Sequence, residues 1–175
     1  MSFNRVSIIY KQLDRWNCDK DEHVEFNEEK FKGQYNPLGN YNNMDIILNF
    51  TIKGFIGSLW EGQQYSGTII FTKNFPVSPP IVYIYNLFHP NVYKNGMVCI
   101  SILHEGEDVF GYEDVKMRWT PAHNIGSIMR SILTLFDDPN CESPANVDAS
   151  VLWSNDKEEL KRVIKGSLFH SDGCL

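Results

Sequence analysis

No apolar run in this sequence approaches the roughly 20 residues that a membrane-spanning helix needs. Cysteine is sparse: Cys18, Cys99, Cys141 and Cys174 stand too far apart for a CxxC zinc or redox pair. The five histidines form no metal-ligand pattern, so no metal centre and no cofactor are expected. Positive charge is in deficit, with 16 Lys and Arg against 22 Asp and Glu and a net charge of -6. That balance argues against a general nucleic-acid binder and suits a partner that presents lysines. No N-terminal signal is expected either, because Arg5, Lys11, Asp14 and Arg15 interrupt the early apolar stretch. Cys174 is second from the last residue, where a prenylation box would need it fourth from the end. The expected compartment is the reducing cytosol, with the thiols free.

What is present is ordinary globular material. At 42% apolar and 22% charged over 175 residues, the chain fits one domain that buries roughly 70% of its unfolded surface. Phe3, Val6, Tyr10 and Leu13 recur at helical steps, widened by Ile9 and Trp16, with Arg5, Lys11 and Arg15 outside the stripe. Residues 17–22 are polar and read as a connection, and His23 to Phe26 as a short strand. Residues 27–45, with Gly33, Pro37, Gly39 and five asparagines, break every periodicity and are expected to form a long polar loop.

Leu48, Phe50 and Ile52 then alternate with Asn49, Thr51 and Lys53, the pattern of a half-buried strand. Thr68 to Thr72 and Ile81 to Tyr85 are the next strands. Between them, Phe75-Pro76-Val77-Ser78-Pro79-Pro80 excludes helix. Ile125, Ile128, Met129, Ile132, Leu133 and Phe136 form one face of a buried helix, with Asn124 as N-cap and Pro139 beyond its end. Asp156 to Leu168 reads as a final amphipathic helix. Strands followed by helices indicate an α+β fold, a helix and a four-stranded antiparallel meander before the later helices.

Chemistry concentrates in His89-Pro90-Asn91-Val92-Tyr93-Lys94-Asn95-Gly96-Met97-Val98-Cys99. An asparagine amide eight residues before a lone thiol supplies two parts of an acyl-transfer site, a hydrogen-bond donor and a nucleophile. No histidine stands in this run where a cysteine hydrolase would need its base; only His104 or His123 could supply one.

This segment resembles the active-site segment of the ubiquitin-conjugating enzymes. Trp60-Glu61-Gly62, Phe75-Pro76 with Pro79-Pro80, His89-Pro90-Asn91, Cys99, Trp119-Thr120-Pro121-Ala122 and Asp138-Pro139-Asn140 extend the likeness over essentially the whole chain. Cys99-Ile100-Ser101-Ile102-Leu103-His104, a long loop at about 104–117, then Ala145-Asn146-Val147-Asp148-Ala149-Ser150 and Trp153 resemble the subgroup that builds ubiquitin chains. Ending at Leu175 without an acidic tail, the sequence is most similar to that subgroup's endoplasmic-reticulum-associated degradation enzymes.

The resemblance implies one catalytic domain over residues 1–175. Cys99 would accept ubiquitin from an activating enzyme as a thioester and pass it to lysine amines, with Asn91 as oxyanion donor. It implies active-site support from His89, Pro90, Ser143 and Asp148, with Ser143 standing where many members carry an aspartate. Val77, Arg118, Pro121 and Ala122 would meet a RING-type ligase. The acidic loop, with Glu105, Glu107, Asp108, Glu113 and Asp114, would attract an acceptor ubiquitin.

ATP would be used by the activating enzyme, not by this chain. A monomer is expected, cytoplasmic and recruited by partners to the endoplasmic reticulum. Three alternatives stay open: a catalytically silent ubiquitin-binding variant, a conjugating enzyme for a related modifier, and a cysteine hydrolase.

Overall fold

The computed structural model describes residues 4–18, 21–36, 38–106 and 117–167. Helix α1 (Arg5–Cys18) leads into a four-stranded antiparallel meander, β1 (Val24–Phe26), β2 (Ile46–Lys53), β3 (Gln64–Phe71) and β4 (Ile81–Ile84), ordered β1-β2-β3-β4. A short helix α2 (Glu28–Gln34) lies between β1 and β2, and α3 (Ile125–Leu135), α4 (Val147–Asn155) and α5 (Lys157–Ser167) follow the sheet. No helix among the described residues is long and apolar enough to cross a membrane.

The alternation in β2 has its expected consequence. Ile46, Leu48, Phe50 and Ile52 all turn into the core. There they meet Val6, Ile9, Leu13 and Trp16 of α1 and Ile125, Ile128, Met129 and Ile132 of α3. Asn124 caps α3 in a reciprocal box with Ser127, which satisfies two otherwise orphaned donors at the helix start. β3 begins at Gln64, earlier than the expected Thr68, because the ladder with β2 continues to the pair Lys53–Gln64. Local propensity hides this start: Ser66 and Gly67 are poor strand formers, yet Phe50 lies directly over Gly67, where a Cβ would collide with its ring.

Two expectations are corrected. The polar loop over 27–45 contains α2, capped by the Asn27 side chain on Lys30 N at 3.0 Å and anchored by the buried Phe31, whose ring meets Tyr10 at 5.1 Å. A seven-residue helix with one buried apolar residue displays no period, which is why the sequence pattern misses it. Arg5, placed outside the apolar stripe, is buried: its guanidinium donates to the carbonyls of Phe71, Thr72, Tyr41 and Met44. Burial lowers its pKa, partly offset by Asp45. Thus one cation fastens the start of α1 to the end of β3 and to the segment before β2.

Helix α4 is an addition to the reading. Asn146 caps it through Ala149 N at 3.2 Å, while the Asn146 amide donates to Pro90 O at 2.9 Å.

Candidate active site

Beyond β4 the chain folds back at Tyr93–Gly96, closed by Gly96 N donating to Tyr93 O at 2.8 Å. Gly96 sits at φ +87, a conformation that disfavours any side chain, and its Cβ position is 2.9 Å from Ile84 O. The returning segment hydrogen-bonds through Val98 N to Val82 O and through Cys99 N to Asn91 O, both at 2.9 Å. The eight-residue spacing is therefore the span of one tight hairpin, which holds the Cys99 main chain against that of Asn91.

The half-buried Cys99 thiol opens into a cleft of about 120 Å3 lined by Asn91, Ser101, His104, Leu135, Asn140 and Ser143. Among the described residues, two side chains reach its sulfur, His104 Nε2 at 3.6 Å and the Tyr93 hydroxyl at 3.8 Å. Of the two histidines that could supply a base, His104 is the one that reaches the thiol. The 3-10 turn Ser101–Leu103 reverses the chain, with His104 N donating to Ser101 O at 2.9 Å, and brings residue 104 back over Cys99. His123 instead places Nε2 3.2 Å from Arg118 O. Tyr93 was not singled out from the sequence. Its phenol pKa is raised, chiefly by the hydrogen bond to Cys99, so it remains a donor.

Asn91 is 3% exposed, and both ends of its carboxamide are engaged. Nδ2 donates to Asn140 O at 2.8 Å, and Oδ1 accepts from Asn140 N at 2.9 Å. His89, 1% exposed, accepts from Asn91 N on Nδ1 at 2.9 Å and faces Leu135 O with Nε2 at 3.0 Å. Burial pushes its pKa down to about 4, so the ring is neutral and can donate from Nε2. Pro90 O receives Asn146 N. The three residues of the motif thus fasten the cysteine hairpin to the end of α3, to the segment at Asn140 and to the start of α4.

Ser143 is exposed on the cleft rim, and Asp148 is exposed and paired with Lys94 at 3.0 Å. Val77, Pro121 and Ala122 are exposed on two loops, which Trp119 joins. This tryptophan is buried, its Nε1 donates to Pro76 O at 3.0 Å, and its main-chain amide donates to His104 O at 2.9 Å. Arg118 reaches Gly106 O at 3.1 Å, and Ser78 Oγ donates to Glu105 at 3.1 Å. Glu107, Asp108, Glu113 and Asp114 lie outside the described residues. Among the described residues, no cluster of His, Cys, Asp or Glu could hold a metal ion.

The sequence matches the ubiquitin-conjugating enzyme family over residues 11–167. Ubiquitin-conjugating enzyme E2 7 of Arabidopsis thaliana is 46% identical over 116 residues, 65% of this chain and 70% of that protein. The Schizosaccharomyces pombe ubiquitin-conjugating enzyme E2-18 kDa is 42% identical over the same length and the same shares. The structure of human ubiquitin-conjugating enzyme E2 G1 superposes with a TM-score of 0.57 at 30% identity, over 77% of this chain and 95% of that one. Fold and sequence agree over most of the chain: it belongs to the ubiquitin-conjugating enzymes, transferases that work through a cysteine thioester.

Proposed function

We propose that Cys99 is the residue that carries ubiquitin. One observation supports this most directly: among the described cysteines, only the Cys99 sulfur opens into a cleft where imidazole and phenol side chains reach it. Cys99 takes the ubiquitin C-terminal carbonyl from an activating enzyme that has used ATP, and a lysine amine then displaces the sulfur. The chain itself needs no cofactor for this exchange, because a thioester is already electrophilic enough for amine attack. Its tasks are to position the amine and to stabilise the tetrahedral oxyanion.

Asn91 is suited to the second task. An amide nitrogen has two hydrogens, and one bond to Asn140 O leaves another for the oxyanion. Ser143 on the cleft rim and the exposed Asp148, paired with Lys94, would guide an incoming lysine.

The exposed Val77, Pro121 and Ala122 suit a small, transient RING-ligase interface. Glu105 and the acids at 107, 108, 113 and 114 would draw in an acceptor ubiquitin, so that the enzyme builds chains for proteasomal degradation. It works as a monomer in the cytosol, brought to the endoplasmic reticulum by partners.

Charging with activating enzyme, ATP and several modifiers, resolved without reductant, tests the assignment. Cys99→Ser should give a stable oxyester, and Cys99→Ala should give no adduct. Charging of Cys99→Ala, or preference for another modifier, contradicts it. Neutralising the loop acids should raise the acceptor KM and remove the salt sensitivity of chain synthesis, while discharge to free lysine stays unchanged.

A further inference from the structure

We propose that His104 is the proton acceptor for the Cys99 thiol during charging, with Tyr93 donating a hydrogen bond to the same sulfur. The inference rests on Cys99 being the ubiquitin acceptor.

Its ground is the placement of the ring. The His104 main chain is held at both ends, N to Ser101 O and O to Trp119 N, each at 2.9 Å. Nε2 then lies 3.6 Å from Sγ, within hydrogen-bonding range of a sulfur atom, at the wall of the cleft that the incoming carbonyl must enter. A free thiol is only a few per cent thiolate at neutral pH, so a base in contact with it increases the attacking species. Tyr93 is 39% exposed, and its hydroxyl, 3.8 Å from the sulfur, can donate to the negative charge that results.

Among the described residues, no other titratable side chain lines the cleft, whose remaining walls are Asn91, Ile100, Ser101, Leu135, Asn140 and Ser143. Glu105 accepts from Ser78, and Asp148 pairs with Lys94.

The step balances without an added reagent. The S–H proton of Cys99 passes to His104 Nε2. The thiolate attacks the carbonyl carbon of the ubiquitin thioester on the activating enzyme, and a new C–S bond forms. The tetrahedral intermediate collapses with loss of the activating enzyme's cysteine thiolate, which recovers the proton from the imidazolium.

Discharge to lysine differs, because sulfur is then the leaving group and the proton to be lost is the amine's, not the thiol's. Charging and discharge should therefore respond differently to loss of the ring.

The test measures peptide-resolved iodoacetamide alkylation of Cys99 from pH 5.5 to 9.5 in wild type, His104→Gln and Tyr93→Phe, beside single-turnover charging and discharge to free lysine. In wild type the Cys99 profile should rise at lower pH than that of the exposed Cys18. His104→Gln should slow alkylation and charging about tenfold at neutral pH, and the difference should vanish as the thiol ionises unaided near pH 9. Discharge should fall by less than charging does and should not share the loss of the effect near pH 9. Tyr93→Phe should move the Cys99 profile the same way by a smaller amount. Coincident Cys99 and Cys18 profiles overturn the proposal in wild type alone, whatever the fold of the variants. An unchanged His104→Gln, or one slowed equally at every pH, also overturns it. Charging of Cys99→Ala would instead overturn the acceptor assignment and leave the alkylation profiles standing.

Discussion

Asn91 and Asn140 hold each other through a two-point clamp, one side-chain amide donating to and accepting from one backbone unit 49 residues away. The carboxamide is thereby fixed beside Cys99, and the segment carrying Ser143 is fixed to the cysteine hairpin. Asn91→Ala leaves the part-buried Asn140 carbonyl and amide without these partners, at about 1 kcal/mol each. Expected is a melting temperature lower by roughly 4–8 °C. Charging should be retained, and discharge to lysine should fall on the order of a hundredfold. Thermal melts beside single-turnover discharge check this, and equal losses of stability and activity would mean that the clamp is the whole role.

His89 makes stability pH-dependent. Its folded pKa of about 4 lies below the ordinary histidine value near 6.5, so the unfolded chain takes up a proton first as pH falls. The neutral ring's contribution is complete above about pH 6.5 and is lost as pH drops towards 4, by at most about 3 kcal/mol. Urea unfolding of wild type and His89→Gln across this window should show the variant with a shallower dependence. Identical slopes would mean that other groups carry the effect.

Trp119 joins the two loops that expose Val77 and Pro121. Trp119→Phe keeps the apolar packing and removes the donor to Pro76 O, for about 1 kcal/mol of stability. RING-stimulated discharge should fall several-fold while ligase-free discharge stays near wild type, and Val77→Asp should act alike. A loss of both activities together would show that the loops shape the active site itself.

Arg5 gathers four carbonyls around one cation. Arg5→Met should cost about 2–4 kcal/mol, and Arg5→Lys should recover only part, because an ammonium lacks the planar fork. Discharge per folded molecule should be unchanged, since none of these four carbonyls lines the cleft. Denaturant melts with active-site titration separate the two effects.

The elements that carry the fold were legible because their information is local. The 3.6-residue period of α3, its Asn124 cap and the alternation of β2 each lie within one short window of sequence. The pairing of Asn91 with Cys99 was equally legible, since both belong to one hairpin. What only the tertiary structure decided depends on partners remote in sequence or on the direction of a turn. Nothing near Arg5 announces carbonyls some 40 and 66 residues away, and nothing near Asn91 announces Asn140. His104 was visible as a residue, but its reach to Cys99 depends on a 3-10 turn three residues long, too short for any periodicity to declare. Backbone periodicity is written residue by residue, whereas the meeting of side chains is settled only when the core closes.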